Sequence, residues 1–484
     1  MGLSGVKRIE EFFPTTAKNP TYDKMLQRLY ENLGADIFEI LKKPDEIVYI
    51  SDIEAYNEQE GLALNPEEVD YLKSLSAKLN RPLTDSEVFG FSQVNSEHCR
   101  HKIFNGVFVI DGEEKPSSLF KLIKKTSQEN PNKLVSAYKD NVAFVEGPVI
   151  EQFAPKNPQG PDFFQIKDVE TVISLKAETH NFPTTVEPFN GAATGTGGEI
   201  RDRLGGGKAS LPIAGTAVYM TSYPRTEENR VWEASAMAPR KWLYQTPEEI
   251  LIKASNGASD FGNKFGQPLI CGSVLTFEHK ENGEEFAYDK VIMLAGGVGF
   301  AAKRDALKGE PKPHESVVLM GGDNYRIGMG GGAVSSVNTG QYDNSIELNA
   351  VQRANPEMQK RVSNVIRALA ESDNNPIVSI HDHGAGGHLN ALSELVESTG
   401  GKIEIGALPV GDPTLSSKEI IGNESQERMG MVIEQKDIEW VRTIAERERA
   451  PFYVVGETTG DHRFVFEQTD GCLLYTSPSP RDMR

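Results

Sequence analysis

Apolar positions along the chain switch between helical and strand spacing. Met25, Leu26, Leu29, Leu33, Ile37 and Ile40 recur at helical intervals and predict an amphipathic helix over 22–41. Two helix starts follow. Asn65-Pro66-Glu67 combines a capping side chain, a proline for the first turn and an acidic residue there. Thr84-Asp85-Ser86-Glu87 is a capping box whose helix runs toward Asn95-Ser96-Glu97-His98-Cys99-Arg100-His101-Lys102. Val172-Ile173-Ser174-Leu175 and the apolar run 291–295 predict buried strands, and Thr246-Pro247-Glu248-Glu249 opens another helix.

The same alternation returns after residue 315. A strand at 316–320 leads to a glycine loop, then a helix from Asn355-Pro356-Glu357. A strand at 377–380 leads to a second glycine loop and a helix reaching Glu397. Between the two stretches, Lys303, Arg304, Lys308 and Lys312 with nearby prolines mark a linker. The pattern predicts an α+β class in two units of similar size. The expected divisions are a connecting segment at 1–60, a helical linker domain at 61–115, and α/β domains at 116–305 and 312–470. Residues 471–484 break the pattern and read as a non-native tail.

Composition narrows the class. The 484 residues are 38% hydrophobic and 25% charged, with no apolar run approaching the length that spans a bilayer. A cytoplasmic protein without a membrane partner is expected. Cys99, Cys271 and Cys472 lie too far apart to suggest a disulfide scaffold. A net charge of -19 disfavours nucleic acid as a partner. Phosphate binding by such a chain needs local devices: backbone N–H groups, a bridging cation, or a well-placed Arg or Lys.

Those devices cluster in Lys176-Ala177-Glu178-Thr179-His180-Asn181-Phe182-Pro183. Period-two spacing points Lys176, Glu178 and His180 to one face of a strand. A cation, a carboxylate and an imidazole there suit phosphate contact, metal ligation and proton transfer. A glycine-rich loop is expected next, from Gly191 to Arg201 and Asp202, where arginine can grip phosphate and aspartate a magnesium ion. The loop matches neither the dinucleotide fingerprint, since Ile200 stands where a glycine is needed, nor the Walker pattern, since Ala209 follows Lys208.

His381-Asp382-His383-Gly384-Ala385-Gly386-Gly387-His388 admits two readings, a zinc site built on its histidines or a magnesium ligand at Asp382 beside a phosphate cradle. Oxygen donors near acidic and glycine-rich segments suit magnesium better. The run 423–429 offers polar donors and acceptors at Glu424, Ser425 and Gln426.

Taken together, Ser96–Cys99, Lys176–Thr184, Gly191–Asp202, Val351–Pro356, Ile380–Gly387 and Glu424–Met429 closely resemble the phosphoribosylformylglycinamidine synthase family over about residues 61–470. Arg100, His101 and Phe182 are similar to its long, fused form rather than its stand-alone subunit. The resemblance implies the first half of a duplicated synthase core, related to aminoimidazole ribonucleotide synthetase and preceded by a helical linker domain. It implies a ligase that converts formylglycinamide ribonucleotide, ATP and glutamine to formylglycinamidine ribonucleotide in purine biosynthesis, with Mg2+ as cofactor. Ammonia would come from a glutaminase domain, and the site would be closed by a second synthase half. Neither is recognised in these residues, so the chain is expected to be inactive alone.

Carried over position by position, the resemblance makes His98 and His180 catalytic, His180 as proton acceptor. Lys176 would contact ATP, together with Gly191, Ala192, Ala193, Thr194, Gly195, Thr196, Gly197, Gly198, Glu199, Ile200, Arg201 and Asp202. Thr179, His180, Asn181, Phe182, Arg201, Gln352, Glu424, Ser425 and Gln426 would line the substrate site. Glu178, Asp202 and Asp382 would hold magnesium.

Overall fold

A computed structural model describes residues 43–96, 101–226, 230–233, 245–288, 290–335, 348–425, 427–468 and the backbone of 473–475. The helix expected over 22–41, the tail after 475, His98, Cys99 and Gln426 lie outside the described residues. The chain divides into two compact units, Met1–Asp45 and Glu46–Arg484, and everything below concerns the second.

Its first part is helical. Strand β1 (Tyr49–Ile50) pairs with β2 (Leu83–Thr84) beside helices α1 (Ile53–Glu60), α2 (Pro66–Leu79) and α3 (Asp85–Val94). The expected capping box forms at Thr84 with Glu87, and the expected cap at Asn65 turns out to be a capping box as well, closed by Glu68. Val69, Leu72, Val88 and Phe89 make a small core that also takes in Ile50 and Ile53, ahead of the expected boundary at residue 61.

A short hairpin, β3 (Val109–Ile110) with β4 (Glu113–Glu114), precedes the first large sheet. That sheet contains β5 (Leu134–Ser136), β6 (Ala143–Pro155), β7 (Phe164–Thr179), β8 (Leu211–Thr221), β9 (Leu269–Thr276) and β12 (Ile292–Ala302), in the order β5-β6-β7-β12-β8-β9. A separate hairpin, β10 (Glu278–Glu281) with β11 (Glu284–Ala287), lies between β9 and β12 in the chain. Helices α4 (Pro188–Leu204) and α5 (Pro247–Phe265) pack on one face, where Ala192, Ala254, Ala258, Met293 and Ala295 form the core. Leu175, Val298 and Leu275 are exposed. The register pairs Val298 with Leu175, so these two share the uncovered face. The run 172–175 was therefore expected to be more buried than it is. Its apolar character calls for a covering surface that the described residues do not supply.

The second large sheet contains β13 (Ser316–Met320), β14 (Ile377–Asp382), β15 (Gly401–Glu404), β16 (Met429–Ile433), β17 (Phe452–Thr458), β18 (Phe464–Glu467) and β19 (Leu473–Tyr475). Its order is β14-β16-β13-β17-β15-β18-β19. Every residue of β13 is buried, as expected for a strand covered on both sides. One face packs on helices α6 (Pro356–Glu371) and α8 (Ile438–Glu448), the other on α7 (Gly387–Leu395). Ala193, Ile200 and Leu204 of α4 join the first of these cores. Thus α4 sits between the two sheets and carries Arg201 and Asp202 to their junction.

The structure corrects one expectation here. Residues 191–202 are not a loop but the interior of α4, and each of them is buried. Glycine supplies close approach rather than flexibility. A Cβ at Gly191 would stand 2.3 Å from the backbone carbon of Pro183, and one at Gly198 would stand 3.1 Å from Glu178 Oε2. The helix can press against the end of β7 only because those side chains are missing.

Candidate functional site

β7 delivers Lys176, Glu178 and His180 to one face, all three half-buried, while Leu175, Ala177 and Thr179 turn to the other and are exposed. The expected shared face is present. Thr179, named with His180 as a substrate contact, points the opposite way. Past the strand, Asn181 Oδ1 accepts a hydrogen bond from Met293 N–H at 3.2 Å. Phe182 is 2% exposed and packs with Val186, Val334, Ala350 and Val351, so its ring is part of a core.

Opposite β7, Lys176 Nζ lies 2.9 Å from Asp202 Oδ2. Burial works against the Lys176 charge, but Asp202 and Glu178 outweigh it and hold the ammonium above the usual lysine range. Burial also opposes ionisation of Asp202, and Lys176 overcomes it, keeping that carboxyl below its ordinary value. Glu178 is different. Burial and then the Asp202 charge push its carboxyl well above the usual range. Its Oε2 is buried without a hydrogen-bond partner among the described residues.

Asp382, at the end of β14, completes the group. Arg201 Nε stands 3.6 Å from Asp382 Oδ2, and Asn141 Nδ2 donates to Asp382 Oδ1 at 2.8 Å. Burial and then Asp202 raise the Asp382 carboxyl. Gln359 ties α6 to α4, its Oε1 accepting from Arg201 Nη1 at 3.5 Å and its Nε2 donating to the Gly197 carbonyl at 3.1 Å. Residues far apart in the chain therefore converge into a charged, water-poor cluster. Its carboxylates are the oxygen donors that magnesium prefers. The arrangement does not fit a bound ion as it stands. Among the described residues no group of at least three His, Cys, Asp or Glu side chains is placed to hold a metal. Asp202 is engaged by Lys176, and Asp382 by Asn141 and Arg201.

Glu199 plays another part. It is 1% exposed and paired with Arg203, and Gln267 Nε2 donates to its Oε1 at 2.5 Å. Burial, partly offset by Arg203, lifts its carboxyl to about 7. This network braces α4 against β8 and β12, since Arg203 also donates to the carbonyls of Ala214 and Val298.

The histidines of 381–388 do not converge on a zinc ion. His381 Nε2 meets Glu394 Oε2 at 3.0 Å, while His383 Nε2 lies 3.1 Å from His388 Nδ1. His388 Nε2 in turn meets Asn324 Oδ1 at 3.1 Å. Burial and then Arg428 push both His383 and His388 far below the ordinary histidine range, which keeps them neutral. Gln352 and Glu424 do come together, with Gln352 Nε2 donating to Glu424 Oε2 at 3.1 Å.

Sequence reasoning missed Asn141, Gln359, Asn324 and Arg428. Asn141 and Gln359 carry no local signal, because their roles arise from contacts between distant segments. Arg428 had one: an arginine directly before the apolar run 429–433 must be buried, and a buried guanidinium needs partners. It is fully buried, bonded to Asn324 Oδ1 at 2.6 Å and to Asn423.

Two domain families meet in this architecture. Residues 53–102 match the formylglycinamide ribonucleotide amidotransferase linker domain, and residues 312–468 match the C-terminal domain of AIR synthase related proteins. The chain thus carries an AIR-synthase-related domain, with a segment similar to an amidotransferase linker ahead of it. Over 421 residues it is 43% identical to the phosphoribosylformylglycinamidine synthase of Schizosaccharomyces pombe. That match takes in 84% of this chain but only 31% of the relative, so the chain spans about a third of the curated relative's length. Solved structures share the fold. PurL of Thermotoga maritima complexed with FGAR aligns with a TM-score of 0.59 at 22% identity, covering 86% of this chain and 56% of that one. The same protein complexed with ATP aligns at 0.55 and 21%, covering 85% and 54%.

Proposed function

We propose that this chain forms one wall of a synthase site that converts formylglycinamide ribonucleotide to formylglycinamidine ribonucleotide, with ATP hydrolysed to ADP and phosphate. The observation that supports this most is the meeting of Lys176, Glu178, Asp202, Arg201 and Asp382 beside His180 at the junction of two sheets. The substrate amide oxygen takes the γ-phosphoryl group of ATP, and ammonia then attacks the activated carbon and expels phosphate. Lys176 and Arg201 are the cations available to transferring phosphoryl oxygens. His180 accepts the proton that ammonia loses as its nitrogen bonds to carbon. Magnesium accompanying the nucleotide belongs to this reading. Glu178, Asp202 and Asp382 could serve it only once Lys176 and Asn141 release their carboxylates.

The ammonia source is a glutaminase domain, and the opposite wall is a second synthase half that covers the uncovered face of the first sheet. Residues 1–484 without that opposite wall then lack turnover. The test combines the purified chain with the second half of a full-length homologue and measures phosphate release with ATP and ammonium. Release that depends on formylglycinamide ribonucleotide and disappears in His180→Ala supports the proposal. Nucleotide binding without substrate-dependent release, even in the reconstituted pair, favours a non-catalytic nucleotide module. Turnover by the isolated chain refutes the need for a second wall.

A further inference from the structure

The family resemblance places Glu424 among the substrate contacts, yet its carboxylate faces the interior and the residue is 3% exposed. Glu424 Oε1 accepts hydrogen bonds from the N–H groups of Gly331 and Gly386, each at 3.1 Å. Oε2 accepts from Gln352 Nε2 at 3.1 Å, and the N–H of Gly332 bonds the same carboxylate. The backbone is fastened too, with Glu424 N–H donating to the Gly328 carbonyl at 2.8 Å. A Cβ on Gly331 would stand 2.5 Å from Glu424 Oε2, so that loop tolerates no side chain there.

Backbone donors converging on one anion form the kind of nest that elsewhere holds a phosphate. Here the anion is the protein's own. A carboxylate offers about four lone-pair sites, and these donors occupy them. A ligand polar group could reach Glu424 only by displacing a buried donor, which would then be left unsatisfied. Groups with spare capacity stand close by. Ser425 Oγ and Gln352 Oε1 are buried with no hydrogen-bond partner among the described residues, and so is Gln93 Oε1 of α3. Gln93 Oε1 would lie 3.1 Å from a Cβ on Gly332, which places the linker helix against the same loop.

We infer that Glu424 is a positioning residue, an internal anion that fixes the loops of Gly331, Gln352 and Gly386, and that Ser425 Oγ and Gln352 Oε1 are the groups left to meet a ligand. Only the identity of that ligand rests on the function proposed above. The experiment reads two things separately in the full chain: amide hydrogen exchange at Gly331, Gly332 and Gly386, and calorimetric binding of formylglycinamide ribonucleotide. Glu424→Ala should speed exchange at those amides by about tenfold or more, as local opening does, and added formate should slow it again. Ser425→Ala should leave exchange at the parent rate and weaken binding by about tenfold, the scale of one lost hydrogen bond. Glu424→Gln, nearly the same shape but with one acceptor oxygen, guards against a folding failure and should free a subset of the amides. Unchanged exchange in both Glu424 variants, or exchange in Glu424→Ala that formate does not slow, overturns the inference. The expected exchange pattern with no binding of formylglycinamide ribonucleotide, by the chain alone or with the second half added, upholds the role of Glu424 while sinking the proposed substrate.

Discussion

The two large sheets are made from similar apolar stretches but are finished differently. In the second sheet, β13 is buried along its whole length, with Val318 and Met320 in one core and Val317 and Leu319 in the other. The first sheet has one core where α4 and α5 lie against it and a smaller one around Phe144, Val172 and Ala301, while Leu175, Leu275 and Val298 stay exposed. One sheet is complete within the chain. The other keeps an apolar face uncovered among the described residues. Buried apolar area and the cost of disturbing it should therefore concentrate in the second sheet, while the first relies more on polar bracing of α4.

That contrast can be broken at its polar brace first. Arg203 and Glu199 are 0% and 1% exposed, and α4 is tied to both β8 and β12 through them. Arg203→Met strands a buried carboxylate, and losing one partner of such a pair costs about 3–5 kcal/mol. Urea denaturation should show the loss, with amide exchange rising first in β8 and β12. A loss below about 1 kcal/mol would mean the first sheet does not depend on this brace. Next in size are paired core truncations. Ile366→Ala, in the core under the second sheet, should cost roughly 3 kcal/mol. Leu275→Ala, on the first sheet, should cost less than about 0.5 kcal/mol. Equal costs would erase the distinction between the sheets.

Much of this was legible in the chain. The cap at Asn65 and the capping boxes at Thr84–Glu87 and Thr246–Glu249 form because capping is local chemistry within one turn. The shared face of Lys176, Glu178 and His180 follows from strand geometry alone. What failed was inference from composition to conformation. Gly191 to Asp202 looked like a loop because glycine is a weak helix former, but glycine also allows the closest helix–strand contact, and here packing outweighed propensity. The uncovered face failed for a related reason. Apolar residues announce that something will cover them, not that the cover lies in the same stretch of chain. Asn141 and Gln359 stayed invisible because each matters only through a partner far away in sequence.

The sheets should also differ in their response to pH, at a smaller scale. Burial raises Glu199 to about 7, above the roughly 4.3 of an unfolded glutamate, so between those values the folded state holds the extra proton. Stability from this group falls as pH rises through that window, and Glu199→Gln should flatten the slope. His388 behaves in the opposite sense. Burial and Arg428 depress it far below about 6.5, so below that pH the unfolded chain takes up the proton and stability falls as pH falls. His388→Gln should flatten that acid limb. Each pKa unit corresponds to about 1.4 kcal/mol, so slopes of this order should appear in urea midpoints measured from pH 4.5 to 8. A pH profile unaffected by either change would mean the buried groups relax toward solvent when ionised.

The smallest effect on stability should come from the uncovered face, and there the comparison is sharpest. Leu175→Lys with Leu275→Lys removes apolar surface of which a large part, 39% and 48%, is already in water, so the unfolding free energy should move by no more than about 0.5 kcal/mol. Long lysine side chains can lie along the sheet with their charges in solvent, so the fold has little reason to object. Association is another matter. If this face is finished by a second synthase half, the double variant should fail to restore substrate-dependent phosphate release in the reconstituted pair, and light scattering should show no stable complex. A large fall in stability would mean the face is covered within the chain itself. Full reconstitution by the double variant would mean the second half docks elsewhere, and the exposed residues of β7, β9 and β12 would need another occupant.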